Sequence, residues 1–368
     1  MVLKILQMRL QSFREKNTIS ETQVLLISAC LQEDKDLCEG LVKKWENLVD
    51  ISDLDYSSSR LVPYFLHHLQ KLNIFSVHDK RLKIIYKHWW LRSKHISHQL
   101  NILLDKFEEA NLDVVVIKGS SMKSHYEADE LRTMSDIDLL VKIEDYELGC
   151  DLLMNANYKV DLLMEGLFKQ NRKLYTDFSH SLVFDHSINK TQVDLHWKLG
   201  SYVTFDITNS MWTKVIPYKD FKNVYRPQIA NEVFMTLIHA VNTNCVDNFN
   251  WIIDIYLINK GNDLSFWTEA RELAILDQKL DLFNEACTIL NSFGVYTPCV
   301  GELNKRRRFI VYTPNEIRNM AIFQSIKIRS NNLIYLVDRL YPNKGFFFKL
   351  WQAAKFSYLN IFYKFTRH

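Results

Sequence analysis

Asp136 and Asp138 flank Ile137 in the run Ser135-Asp136-Ile137-Asp138-Leu139-Leu140-Val141, and this alternation constrains the chain more than any other feature. In an extended strand, successive side chains point to opposite faces. Ile137, Leu139 and Val141 therefore enter a core, while the two carboxylates project together from the other face. Carboxylates held side by side repel unless a cation lies between them, so a buried strand ending this way points to Mg2+, or to Mn2+ in its place.

An apolar run lies just upstream, Val114-Val115-Val116-Ile117, and closes in Lys118-Gly119-Ser120-Ser121. Glycine removes the Cβ that would keep a phosphate from backbone N–H groups, so a Gly-Ser turn beside two carboxylates suits a nucleotide. A third piece follows at Thr191-Gln192-Val193-Asp194-Leu195-His196-Trp197. Here Val193, Leu195 and Trp197 alternate with Asp194 and His196, the period of a half-buried strand. Its polar face adds a third carboxylate, with His196 pointing the same way. Together these parts imply metal-assisted chemistry on a nucleotide.

The order of these motifs resembles the nucleotidyltransferase superfamily whose best-known member is DNA polymerase beta. Lys118-Gly119, Tyr126, Arg132 and Asp136-Ile137-Asp138-Leu139-Leu140-Val141 narrow the resemblance to a bacterial family of largely uncharacterised nucleotidyltransferases. Flanking stretches are similar too: Arg60-Leu61-Val62-Pro63-Tyr64-Phe65-Leu66, Leu237-Ile238-His239-Ala240 and Trp251-Ile252-Ile253-Asp254. The likeness spans most of the chain, but its specific motifs lie between Lys118 and Trp197. Two positions depart from it. Asp194 stands where the family often has glutamate, which either carboxylate satisfies, and Asn242-Thr243-Asn244 stands where a second histidine is common.

The resemblance implies two-metal nucleotidyl transfer from a nucleoside triphosphate. Asp136 and Asp138 are expected to bind both ions, with Asp194 helping to hold the one that activates the acceptor. Gly119 and Ser120 are expected to cradle the β and γ phosphates. Lys118 or Arg132 would neutralise the leaving group, although a structural ion pair is an equal expectation for Arg132. His196 is expected to be a satisfied structural histidine or, among the nucleotide-binding residues, to hydrogen-bond a metal-ligating carboxylate or contact the acceptor. His239 and Asp254 are expected to form a buried pair joining helices, with closure of the acceptor pocket as the alternative. The adjacent histidines His67-His68 diverge on a helix, and neither they nor His95 and His98 bring an evident third ligand for zinc.

Periodicity supplies the organisation. The stretch to about residue 110 reads as helical, with Ile96, Leu100, Leu103, Leu104 and Phe107 at helical spacing. Strands are expected at 113–117, 137–142, 180–186 and 192–197, and helices at 120–128 and 145–155. Helical periodicity returns from Pro227. The predicted fold is α+β: a small mixed sheet with helices on one face, flanked by helical regions. The corresponding domains are 1–110, 111–225 and 226–368.

Composition narrows the setting. A chain of 368 residues that is 47% hydrophobic, with 9 glycines and 6 prolines, is a folded, helix-rich globule. The formal net charge of +3 is nearly balanced, so nucleic acid is a conceivable partner but not a required one. Six scattered cysteines without Cys-x-x-Cys spacing read as reduced thiols of a cytoplasmic protein. No apolar run is long enough for a membrane span. The aromatic tail 343–368 is expected to pack on the core, and Lys305-Arg306-Arg307-Arg308 to be solvated.

Overall fold

The structure, a computed structural model, describes residues 18–160, 176, 179–200, 203–241, 248–298 and 310–311. The tail, the basic run 305–308 and the loop 242–244 lie outside them. The chain is α+β, as the sequence predicts.

A short strand β1 (Thr18–Ile19) leads into helices α1 (Glu21–Leu31), α2 (Lys35–Leu48), α3 (Tyr56–Lys71) and α4 (Asp79–Glu109). Their starts are set by side chains that accept otherwise unpaired backbone N–H groups. Ser20 and Gln23 form a reciprocal capping box, and Asp34 and Asp55 cap α2 and α3. Strand β2 (Val114–Val116) then runs into the single-turn helix α5 (Gly119–Met122), and β3 (Ile137–Leu140) is followed by α6 (Tyr146–Asn155). Next come β4 (Tyr158–Val160), the hairpin β5 (Ser181–His186) and β6 (Gln192–His196), α7 (Phe205–Trp212), and the pair β7 (Ile216–Pro217) and β8 (Val224–Arg226). Helices α8 (Ile229–His239), α9 (Asn250–Gly261), α10 (Phe266–Leu276) and α11 (Leu280–Ser292) complete the helical part, and β9 (Ile310–Val311) pairs in parallel with β1.

Seven strands form one mixed sheet in the order β4-β5-β6-β3-β2-β8-β7. Strand β3 lies antiparallel to β2 and parallel to β6. The sequence pattern predicts β2, β3, β5 and β6; β4, β7 and β8 extend the sheet at its edges. They are two or three residues long, too short to display a period.

The two faces of the sheet differ. Val114, Val116, Ile137, Leu139, Val193 and Leu195 pack with Ile96, Leu100 and Phe107 of α4 and with Leu153 of α6. On the other face Val115 and Leu140 join a second core built largely by α1–α3 and α8–α11. Asp138, Asp194 and His196 sit on this second face, so the flanking helices lie over the carboxylates.

The helix expected over 120–128 is shorter than predicted. After Met122 the chain tightens into a 3-10 turn at Lys123–His125, and Tyr126 is extended. Serine hydroxyls compete for the helix carbonyls: Ser121 Oγ donates to Lys118 O and Ser124 Oγ to Ser121 O. Tyr126 is in turn drawn into the core, where its hydroxyl donates to Asp254 Oδ1 at 2.7 Å.

Candidate active site

The parallel register of β3 and β6 places Asp138 beside Asp194, and Leu140 beside His196. One ligand atom from each of Asp138, Asp194 and His196 falls within 4.8 Å of the others. Asp136, one residue before β3, stands at the edge of this group, and its Oδ1 accepts a hydrogen bond from Ser135 Oγ at 3.0 Å. Lys118 comes in from the end of β2. Its Nζ donates to Asp138 Oδ1 at 2.6 Å and lies 3.4 Å from His196 Nε2.

Negative charge is crowded here. Burial, and then the neighbouring Asp138, push the Asp194 carboxyl up to about 7, with Lys118 opposing the rise. The same two causes raise Asp136. Burial alone would lower Lys118, but Asp138 outweighs it and holds the ammonium above its usual value. Burial, then Lys118, keeps His196 well below the ordinary imidazole range, so it is neutral. Two more histidines reach the same region. The His180 ring is 5.2 Å from that of His196, and burial followed by Lys118 lowers His239 to about 3.

The donor set suits a divalent cation. Asp194 Oδ1 is buried without a hydrogen-bond partner among the described residues, which is costly for a carboxylate oxygen with nothing to bind. His196 Nδ1 lies 3.2 Å from the Lys198 carbonyl, which only accepts, so the imidazole proton belongs on Nδ1. The lone pair of Nε2 then faces Asp138 Oδ1 at 3.0 Å. The Lys118 ammonium, within reach of both atoms, supplies the positive charge that they share in this structure. A backbone acceptor on the far nitrogen is also what fixes the tautomer of a metal-binding histidine.

Lys118 has φ 53° and ψ −131°, a left-handed conformation that ordinarily requires glycine. Non-glycine residues hold such angles at a cost on the order of 1–3 kcal/mol and do so mostly at functional sites. The turn carries the chain from β2 directly into α5. Gly119 is needed for a different reason, the close approach of a neighbour: a Cβ there would meet Met134 Cγ at 3.3 Å and Sδ at 3.5 Å. Ser120 is buried, and its hydroxyl donates to Met134 Sδ at 3.4 Å.

Arg132 takes the structural role. Its Nε and Nη2 donate to Asp254 Oδ1 and Oδ2 at 2.7 and 2.8 Å, with both side chains buried. Asp254 is thus joined to Arg132 and Tyr126, where the sequence suggests a partner in His239. The pair fastens α9 to the loop that delivers Asp136. Other bonds tether the same loop: Thr133 Oγ1 donates to Arg60 O of α3, Asn250 Nδ2 of α9 donates to Thr133 Oγ1, and Arg92 Nη2 of α4 donates to Ser135 O. The partners lie 43 to 122 residues away, and local sequence carried no signal for them. His67 and His68 bind Glu127 and the Gln32 carbonyl, away from one another.

The sequence profile of the family described as uncharacterised nucleotidyltransferase matches residues 43–289, more than half of the chain. The chain belongs to this family. No curated protein and no solved structure matches it. The matched span of the nucleotidyltransferase runs from α2 to α11 and includes every residue of the carboxylate cluster and its tethers. No helix among the described residues is long and apolar enough to cross a membrane.

Proposed function

We propose that the protein transfers a nucleoside monophosphate from a nucleoside triphosphate to an acceptor hydroxyl or phosphate, releasing pyrophosphate. The observation that carries this reading is the pairing of Asp138 with Asp194 across β3 and β6, with an Asp194 oxygen buried and without a hydrogen-bond partner among the described residues, in a chain of nucleotidyltransferase lineage.

Asp136, Asp138 and Asp194 would hold Mg2+, and the imidazole of His196 makes the set equally suited to Mn2+. Bound there, a divalent cation supplies charge neutralisation on the phosphates and lowers the pKa of an acceptor hydroxyl. The protein's own groups do the rest. Lys118, whose ammonium lies against Asp138, would offset the charge of departing pyrophosphate. Gly119 leaves room for Met134 against the β2–α5 turn, which would hold that turn in place for a phosphate. The neutral rings of His180 and His239 border the cluster and would line the acceptor side. Arg132 acts at a distance, by fixing the Asp136 loop against α9. The domain division that accompanies this reading is a transferase core at 111–225 between helical regions at 1–110 and 226–368.

A second reading has one observation behind it. The Lys118 ammonium already balances Asp138, as it would in a protein that binds nucleotide but turns it over weakly. Both readings are tested by thermal stabilisation with each nucleoside triphosphate, with and without Mg2+ or Mn2+, followed by release of pyrophosphate. A metal-dependent shift with pyrophosphate release, lost in Asp136→Ala and Asp138→Ala, supports the transferase. A shift without release supports the weak binder, and no shift with any nucleotide overturns both.

A further inference from the structure

The outward face of α4 carries a charge that the near-neutral composition conceals. Between Asp79 and Asp105 the sequence contains no aspartate or glutamate, yet Lys80, Arg81, Lys83, Lys87, Arg92 and Lys94 fall in this stretch. At 100° per residue these six occupy one half of the helix, and all six are exposed. The opposite half, with Leu82, Trp89, Ser93 and Ile96, is buried. Lys83 pairs with Asp79 and Lys94 with Glu130. Lys80, Arg81, Lys87 and Arg92 have no carboxylate within salt-bridge distance among the described residues. The row spans about 21 Å of helix, the reach of several backbone phosphates.

The row ends at the candidate active site. Arg92 Nη2 donates to the carbonyl of Ser135, whose hydroxyl holds Asp136. One turn further on, His95 Nε2 lies 2.9 Å from the carbonyl of Asn189 in the β5–β6 turn. An extended anion lying along α4 is therefore led to the loop that presents the first carboxylate.

We propose that this face of α4 binds the phosphate backbone of a single-stranded nucleic acid and presents the end of that strand to the Asp136–Asp138–Asp194 cluster as the acceptor. The acceptor assignment rests on the transferase reading; the binding surface does not. In the reaction, the terminal hydroxyl oxygen forms the new bond to the α-phosphorus of the nucleoside triphosphate. The bond from that phosphorus to the bridging oxygen breaks, pyrophosphate leaves with the electron pair, and the hydroxyl proton passes to solvent. Ile84 and Leu91 are also exposed on this face, and a basic helix with exposed aliphatic side chains can meet an anionic lipid surface. Continuity with the Asp136 loop, where an acceptor has to arrive, favours the nucleic acid.

The test uses the full-length protein and random-sequence single-stranded RNA and DNA pools in fluorescence anisotropy over a series of salt concentrations. The variant is K80Q/R81Q/K87Q, three solvated positions outside the carboxylate cluster. The expected result is binding whose logarithm falls with log salt at a slope of about −3 for four phosphate contacts. The variant should flatten that slope to roughly −1 and weaken binding tenfold or more at low salt. The RNA and DNA arms show which sugar is preferred. Absence of binding to both pools, or binding unchanged in the variant, overturns the surface; so does binding to phosphatidylserine vesicles without binding to either pool. Transfer of label from an α-phosphate-labelled nucleoside triphosphate is measured in parallel. Label on the strand, lost in the variant, supports the acceptor assignment. Label that reaches only a small molecule or protein overturns it. Strand binding without transfer to any acceptor leaves the surface in place and removes the transferase reading instead.

Discussion

The two faces of the central sheet are built from the same strands and do opposite things. On one, Ile137, Leu139, Val193, Leu195 and Trp197 are buried against α4 and α6, and shape alone decides what fits. On the other, Asp138, Asp194 and His196 share a small volume with Lys118, and charge decides. A strand period of two separates these tasks residue by residue, so the apolar face stabilises an arrangement that the polar face by itself would push apart. Stability and chemistry should accordingly respond to different substitutions along a single strand.

The sharpest way to break that contrast is Asp138→Ala. It should cut nucleotidyl transfer by about a hundredfold or more while far-ultraviolet circular dichroism stays unchanged; loss of the fold instead would show that the polar face is structural. On the opposite face, Trp197 packs edge-on against Tyr146 with ring centroids 4.6 Å apart. Trp197→Ala should cost about 3–5 kcal/mol in urea unfolding, and a loss well below that would mean the apolar face is not the support described.

The tether of the Asp136 loop lies between these extremes. Asp254→Ala leaves the Arg132 guanidinium buried without its partner, and should destabilise by about 3–5 kcal/mol. The double replacement R132M/D254L should recover most of that loss, because no charge is then left buried. If it recovers none, shape rather than charge holds α9 to the loop.

A smaller effect comes from Lys123, which is buried with its ammonium bonded to Ser93 Oγ and Ser97 Oγ. Burial pushes its pKa from the usual 10.5 down to about 8. Between those values the unfolded chain holds a proton that the folded one has released, so stability rises with pH across the window. Below pH 8 the penalty for folding around the charge is present in full. Lys123→Met should remove that rise, which pH-dependent urea midpoints would show; identical profiles would place the ammonium in contact with water. The smallest change is Gly119→Ala. The Met134 side chain can give by the few tenths of an ångström required, for a cost of about 1 kcal/mol or less. Gly119→Val should go further and weaken nucleotide binding, read as a raised apparent constant in titration; an unchanged value would place the nucleotide away from this turn.

Much of this architecture was legible in the sequence because the period of a strand is local. Spacing alone puts Asp136 with Asp138, and Asp194 with His196, on one side of their respective strands, and the register of β3 with β6 brings Asp138 and Asp194 together. The partners of Arg132 were not legible, since Asp254 lies 122 residues away and nothing near it marks it as a counter-ion. The length of α5 is not legible, because serines that fit a helical pattern bond back to its carbonyls instead. The charge on α4 is legible on one helix face, where basic residues fall between Asp79 and Asp105 without an acidic one, while the whole-chain net charge of +3 conceals it.

The backbone of Lys118 has a consequence for anyone seeking to improve this protein. Its left-handed angles suit glycine, yet Lys118→Gly would leave Asp138 buried without its ammonium even as it relieves the turn. The unpaired carboxylate outweighs the relieved strain, so selection for heat tolerance keeps the lysine that the backbone alone would discard. Glycine would win at this position only in a variant whose Asp138 had already been neutralised.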